Sequence, residues 1–398
     1  MSYNVENYPN SRSGVSITSI EPYYKMIINE IQPDAIVAVE VVQQSGVNQF
    51  LTNVLGSDYK AANVTISSTN SLGNDGNDCS FYYKPGVLTL VDYKAIPART
   101  RVISKFTLIH NNSPKDTLII FGVHLKANDY SSDNVLNAQK RTDAINSLRD
   151  ETKQYPVNKN YIICGDFNIF SSNESAFQKM LDKSLPGYFI DPLNAIGDWS
   201  GNSAFNNACS YSAKVLDTRL DMMLISPGVK TVGGVDYKEG SYKIFGNDGK
   251  HFGVAVNNGT NDWFSENPFV GTALINASDH LPVFADFTFG VSTDVSQGKD
   301  IPSSIELKQN YPNPFNPETN ISYQLSYAGR VNLTVYDMLG RTVSTLINEY
   351  KQPGFYNYKF SLNNLPAGGD ASLFSSGVYF YQLKVGNFVQ TKKMVFLK

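Results

Sequence analysis

Four short segments of this chain set polar side chains at the ends of apolar runs, where a side chain leaves a sheet and faces a cleft. Residues 35–39, AIVAV, lead into Glu40, and the run resumes at Val41 and Val42. A carboxylate inside such a run is costly unless it is paired or binds a metal. The alternative is a glutamate on the solvent face of an edge strand. In YIICGDFN, residues 161–168, a strand gives way to Gly165, and Asp166 and Asn168 project the same way, offering one charged and one neutral oxygen group. A plain Asx turn at a strand end accounts for the same residues. In INASDHLPV, residues 275–283, Asp279 and His280 are adjacent, so their side chains diverge and cannot form a dyad. The chemistry divides them, Asp279 towards a metal and His280 towards a reacting atom, unless His280 is a satisfied interior histidine. In RLDMMLIS, residues 219–226, Asp221 opens an apolar strand, placed either to orient His280 as the third member of a triad or to pair with Arg219. A second imidazole, His124, closes another apolar run just before Lys126; the alternative there is a bond to backbone.

Such scattered groups need a scaffold to bring them together. The first 290 residues alternate β-branched runs with amphipathic stretches, the pattern of layered sheets flanked by helices. Ile17, Ile20, Tyr24, Ile27, Ile28 and Ile31 recur at helical spacing, ending near Pro33, and a polar helix is expected over about residues 133–154. Strands are expected at 35–42, 80–83, 87–93, 102–109, 117–125, 161–164, 220–225 and 282–289, with HNNSPKD as a hairpin turn before residue 117. Residues 291–304 have no apolar periodicity and are dense in Ser, Asp and Gly, which places a linker there between a body at 1–290 and a tail at 305–398. In the tail the pattern changes to short strands at 320–325, 330–337, 354–361, 377–385 and 388–397, a small antiparallel β-sandwich.

At 398 residues the chain is too long for one ordinary core, and 41% apolar residues exclude a disordered chain. No apolar run is long enough for an integral membrane segment. Residues 301–398 carry 9 Lys+Arg against 5 Asp+Glu, leaving 24 against 31 in the rest, so the body is −7 and the tail +4. That acidic body lacks the broad basic footprint of a tight, non-catalytic nucleic-acid binder. Cys79, Cys164 and Cys209 allow at most one intramolecular disulfide and form no CxxC zinc pair.

Taken in order, Asn4, Glu40, His124, Asp166, Asn168, Asp221, Asp279 and His280 follow the sequence order and approximate separations of the endonuclease/exonuclease/phosphatase superfamily. Residues 1–290 resemble that group, which includes deoxyribonuclease I, apurinic endonucleases, neutral sphingomyelinases and inositol-polyphosphate 5-phosphatases; GDFN and SDHLPV are the most specific motifs. The resemblance implies an α/β fold, a four-layered α/β/β/α sandwich with two mainly antiparallel sheets and the site at one rim. It makes Glu40 the principal ligand of a divalent cation, with Asn4 and Asp279 beside it. Asp166 and Asn168 hold the attacking water and a phosphate oxygen, Asp221 and His280 form the acid/base pair, and His124 is a second imidazole near the scissile phosphate. Arg99 corresponds to an arginine that contacts phosphate, with Arg101 as its competitor, and Asp78 stands near the place of a carboxylate that pairs with His124. His251 reads as an ordinary loop histidine in a stretch, 228–273, that carries no interpretable motif.

Phosphodiester hydrolysis would use those groups well. The substrate repels hydroxide and has a poor alkoxide leaving group, so a catalyst needs a cation, a base for water and stabilisation opposite the attack. Oxygen ligands without thiolate suit Mg²⁺, Mn²⁺ or Ca²⁺.

The tail strings LKQNYPNPFNP, VNLTVYDMLGRTV, SSGVYFYQLKVG and KKMVFLK resemble the C-terminal sorting domain of the type IX secretion system of Bacteroidetes-like bacteria, over residues 305–398, with an insertion at 368–374. That resemblance implies a secreted or cell-surface protein engaging the secretion machinery. Export requires an N-terminal signal, which SYN at the start does not provide, so an upstream segment is expected. The expectation is therefore a secreted, metal-dependent phosphodiesterase, monomeric, most simply an extracellular nuclease acting on nucleic acid. A sphingomyelinase or inositol phosphatase is the alternative within the same chemistry, and an inactive surface-displayed binding protein the alternative outside it.

Overall fold

Strict alternation of side chains decides what each strand buries. In the computed structural model the residues described are 1–12, 14–69, 75–128, 134–230, 234–290, 304–327, 329–351, 354–362, 374–386 and 388–397; the expected linker up to residue 303 and the inserted loop at 368–373 lie outside them. Strand Tyr161–Asp166 is buried throughout. Tyr161 and Ile163 pack with Phe121, Val123 and the helical residues Ile145 and Leu148, whereas Ile162 and Cys164 pack with Val37, Phe81 and Phe106. A strand covered on both faces reads as an unbroken apolar run, as YIIC does.

This strand belongs to a five-stranded sheet ordered Asp221–Ile225, Tyr161–Asp166, Ser113–His124, Ile103–His110, Leu88–Ile96. The facing six-stranded sheet is ordered Lys243–Ile244, Val283–Phe284, Ser2–Tyr8, Ala35–Val41, Ser80–Tyr83, Lys60–Ala61. Pairing is antiparallel except between Ser2–Tyr8 and Ala35–Val41 and between Ser113–His124 and Tyr161–Asp166. Helices Ile17–Ile31 and Phe269–Ala277 cover the six-stranded sheet, and Asn134–Thr152 and Ser175–Leu181 cover the five-stranded one, giving four layers in the order α/β/β/α. The run 282–289 is not one strand: Val283–Phe284 joins the six-stranded sheet, while Phe287–Phe289 pairs with Val235–Tyr237.

The chain divides into compact units Met1–Ser292 and Thr293–Lys398. In the second, Glu306–Leu307, Glu318–Leu325 and Gly354–Ser361 form one antiparallel sheet. Thr342–Lys351, Gly329–Tyr336, Gly377–Val385 and Phe388–Phe396 form another. Ile321, Tyr323, Leu325, Val331, Leu333, Val335, Tyr381 and Leu383 fill its core, one residue in two along each strand.

Candidate active site

Register places the first three groups in a row. Across the five-stranded sheet, Asp166 pairs with His124 on one neighbour and with Asp221 on the other. Directly paired residues share a face, and this one is the face of Ile162, Cys164 and Met223, turned towards the other sheet. Gly165, immediately before Asp166, has φ +148°, and a Cβ there would run into the Val123 carbonyl. Only glycine lets the strand end this way. The chain then turns: Asn168, at φ 50°, donates its backbone N–H to Asp166 Oδ1 at 3.0 Å, and its Nδ2 donates to the Leu125 carbonyl at 3.2 Å. The Asx turn that the motif allowed is therefore present, and it leaves Asp166 Oδ2 facing the cleft.

Glu40 reaches the same cleft by breaking its strand. Val39 pairs with Asn4, so both face the other sheet, and a regular strand would send Glu40 the opposite way. The pairing instead jumps from Asn4–Val39 to Tyr8–Val41, so residues 5–7 stand opposite Glu40 alone. Glu6, Asn7 and Glu40 adopt left-handed φ of 45°, 57° and 65°. Each such residue costs about 1–2 kcal/mol, and the bulge re-aims the carboxylate inward. Asn7 N–H donates to Glu40 Oε2 at 2.9 Å, and Asn4 Nδ2 donates to Glu40 Oε1 at 2.9 Å and to Asp166 Oδ2 at 3.1 Å.

Two imidazoles flank this centre, each backed by a carboxylate. His280 Nδ1 donates to Asp221 Oδ2 at 2.8 Å, and its Nε2 lies 3.9 Å from Asp166 Oδ2. His124 Nδ1 donates to Asp78 Oδ2 at 2.6 Å, and its Nε2 lies 3.7 Å from both Glu40 Oε1 and Asp166 Oδ2. Burial pushes Asp221 up to about 6 against the pull of His280. Burial disfavours the His280 cation, but Asp221, then Asp166 and Asp279, outweigh it and raise the imidazole to about 10. At neutral pH the pair is a carboxylate and an imidazolium. In the second pair burial opposes charge on both, yet Asp78 raises His124, and His124 with Arg101 lowers Asp78. Tyr211 packs against His280, ring centroids 4.8 Å apart.

The structure thus brings together Asn4, Glu40, His124, Asp166, Asp221 and His280, with Asn168 on the adjoining turn and Asp78 behind His124. Three placements differ from the sequence expectation. Asn4 presents its NH₂ to the carboxylates because its oxygen accepts from Glu6 N–H at 2.9 Å, so it is a donor to Glu40 and Asp166 and turns no oxygen towards a cation held between them. Asp279 is one-third exposed (35%) beside His280, 3.8 Å from its Nε2, and lies outside the group formed by Glu40, His124 and Asp166, whose ligand atoms lie within 4.8 Å of one another. Arg99 is turned to the surface and pairs with Asp143 at 2.6 Å. Arg101 is the nearer of the two, its Nη1 donating to the Leu125 carbonyl at 3.1 Å and its Nε 3.7 Å from Asp78.

Sequence reasoning missed Asp191, which grips Arg219 through two bonds of 2.7 and 2.8 Å and so removes it from Asp221. Nothing in the local sequence around Asp191 signals a partner 28 positions away. His251 is buried, with Nδ1 on Asp248 at 2.8 Å and Nε2 on the Asn258 carbonyl at 3.1 Å, pinning its loop. A cavity of about 550 Å³ lies between the sheets, lined by residues such as Val37, Ile120, Ile162 and Cys164, and none of the candidate site residues lines it.

A cation fits this donor set. Two carboxylates face each other across a single amide NH₂, with an imidazole nitrogen beside them and oxygen donors predominating, which is the chemistry of a hard divalent ion.

This layered fold with its polar rim is that of phosphoester hydrolases. The chain belongs to the Endonuclease/Exonuclease/phosphatase family, whose profile matches residues 1–280, and residues 309–397 match the secretion system C-terminal sorting domain. Members of the family are hydrolases of phosphodiester or phosphate bonds and typically use divalent metals; the sorting domain marks the chain for secretion or attachment to the cell surface. Among solved structures, a functionally unknown conserved protein from Enterococcus faecalis is similar at 13% identity, covering 73% of this chain and 98% of its own, with a TM-score of 0.48. An endonuclease/exonuclease/phosphatase from Bacteroides vulgatus is similar at 12% identity, covering 73% and 97%, with a TM-score of 0.47. The human Nocturnin catalytic domain with bound sulfate is similar at 19% identity, covering 68% and 87%, with a TM-score of 0.43. No curated protein matches the chain. No described helix is long and apolar enough to cross a membrane.

Proposed function

We propose that this protein is an exported, divalent-metal-dependent phosphodiesterase, and that its substrate is nucleic acid. The observation that carries the reading is the pair of imidazole–carboxylate couples, His280–Asp221 and His124–Asp78, on either side of Asp166 and Glu40. A phosphodiester needs help at two opposite positions, where water enters and where a poor alkoxide leaves. Two couples flanking one carboxylate centre supply both.

Glu40 would hold the cation beside Asp166, and the ion when bound would neutralise phosphate charge and polarise its oxygens. Asp166 Oδ2 stands between the two imidazoles and takes the proton of the attacking water. His280, held cationic by Asp221, donates through Nε2 to a phosphate oxygen as negative charge builds. Asn4 fixes the spacing of Glu40 and Asp166 through its two donated bonds. His124, oriented by Asp78 at Nδ1, gives its Nε2 proton to the leaving oxygen as that P–O bond breaks and the bond to the water oxygen forms. Asn168 offers its amide to the substrate.

The decisive experiment incubates the purified protein with plasmid DNA, sphingomyelin and inositol polyphosphate, each with Mg²⁺ and with chelator. Mg²⁺-dependent cleavage of DNA in preference to the other two is expected. Turnover of sphingomyelin or inositol phosphate alone overturns the nucleic-acid assignment, and inertness towards all three overturns the enzyme.

A further inference from the structure

The bulge that re-aims Glu40 also grips the turn that carries His280. Helix Phe269–Ala277 runs out just before that turn, and its last carbonyls have no partners within the helix. Arg12 satisfies two of them: its Nη2 donates to the carbonyls of Asn276 and Ala277, each at 2.5 Å, while its Nη1 pairs with the carboxylate of Glu6. A cation at this end also suits the helix dipole. The same Glu6 carboxylate accepts a bond from the backbone N–H of Asp279 at 2.8 Å. Ser278 completes the connection, its hydroxyl donating to the Asn4 carbonyl at 2.8 Å and accepting from His280 N–H at 3.1 Å.

Glu6 therefore acts on two site residues by two routes. Its backbone N–H holds the Asn4 oxygen and so turns the Asn4 NH₂ towards Glu40 and Asp166. Its carboxylate holds the backbone immediately before His280 directly, and through Arg12 holds the helix end behind it. Both routes depend on Glu6 keeping the left-handed φ of 45° that the bulge imposes.

We propose that Glu6 and Arg12 form a positioning clasp that sets where His280 stands relative to Asp166 and Asn4, neither residue touching the reacting phosphate. The clasp rests on the reading of His280 as part of a phosphodiesterase site. Its carboxylate is no metal ligand in this reading, because one of its oxygens is already shared between Arg12 and the Asp279 N–H.

The test measures kcat, KM, the Mg²⁺ half-saturation point and Tm with bis(p-nitrophenyl) phosphate for the full chain and for Glu6→Ala, Arg12→Ala, Arg12→Lys and the double alanine variant. Displacement of a catalytic group by a fraction of an ångström to an ångström is expected to lower kcat about 10²-fold in each alanine variant. KM and the Mg²⁺ requirement should stay within about threefold, since binding is untouched. The double variant should lose no more than the worse single one, and Arg12→Lys should recover part of the rate. Unchanged kcat, strictly multiplicative losses, or a loss confined to KM or Tm overturns the clasp. An inactive parent chain overturns the site reading instead, and the clasp is then judged on the His280 imidazole NMR resonances. A shift between parent and Glu6→Ala supports it, and superimposable resonances overturn it.

Discussion

Among the described residues, the buried acidic, basic and imidazole side chains are Glu21, His124, Arg141, Asp166, Asp191, Arg219, Asp221, His251 and His280, all in the unit Met1–Ser292. In the unit Thr293–Lys398 the buried polar side chains are Asn310, Thr319, Thr334, Ser344 and Ser361, none of them charged. Backbone strain divides the same way: the described non-glycine residues with positive φ are Glu6, Asn7, Gln32, Glu40, Asn168 and Asn194. Among its described residues the tail follows local rules along most strands, alternating apolar and polar residues over two antiparallel sheets, with Thr342–Lys351 the exception. The body follows them through its core and departs from them at one rim, where four of those six strained residues and two imidazole–carboxylate couples gather. Sequences that specify a fold are locally consistent, and concentrated violations mark the places kept for another purpose. One unit belongs to a family of hydrolases and the other matches a secretion sorting domain.

Breaking the rim should cost most. Asp166→Ala and His280→Ala are each expected to lower the metal-dependent phosphodiesterase rate by about 10²–10⁴-fold while the far-ultraviolet circular dichroism and Tm stay near those of the parent. Near-full activity in either variant would show that the strained rim serves stability. A smaller loss tests the outer ring of the site. Asp78→Ala should reduce kcat by about 10- to 100-fold, the usual effect of losing the partner that orients a working histidine, and a rate within twofold of the parent would remove His124 from the leaving side. The least effect on catalysis should come from the tail. Leu333→Ala, in its core, is expected to lower the stability of that unit by about 2–5 kcal/mol, read as a separate calorimetric transition, with kcat unchanged. A parallel fall in kcat would show that the two units are energetically coupled.

The distinction also explains what could be read without coordinates. The five-stranded sheet was legible because its strands are apolar on both faces or alternate cleanly, as in YIIC and in the run ending at His124. Helix Ile17–Ile31 was legible from its isoleucine spacing. The tail strand Thr342–Lys351 escaped notice because register shifts interrupt its pairing, so its buried residues do not alternate. Helices Ser175–Leu181 and Phe269–Ala277 are short, and their apolar residues do not describe a long stripe. At the site, Asp78 is singled out by its 2.6 Å contact with His124, whereas the adjacent Asn77 is occupied by Thr65, Tyr93, Cys79 and Ser104. Arg99 and Arg101 lie in the connection between Leu88–Ile96 and Ile103–His110, where no pleat fixes the direction of either side chain.

The order and types of the polar residues, the two-part organisation and the layered class were all determined by the chain itself, because side-chain period and turn chemistry are local properties. The direction in which Glu40 points, the orientation of the Asn4 amide and the choice of partner for Arg219 were decided only by tertiary structure. Each depends on a hydrogen bond between groups that are far apart in sequence or on a bulge that reverses a pleat, and neither leaves a periodic trace in the order of residues.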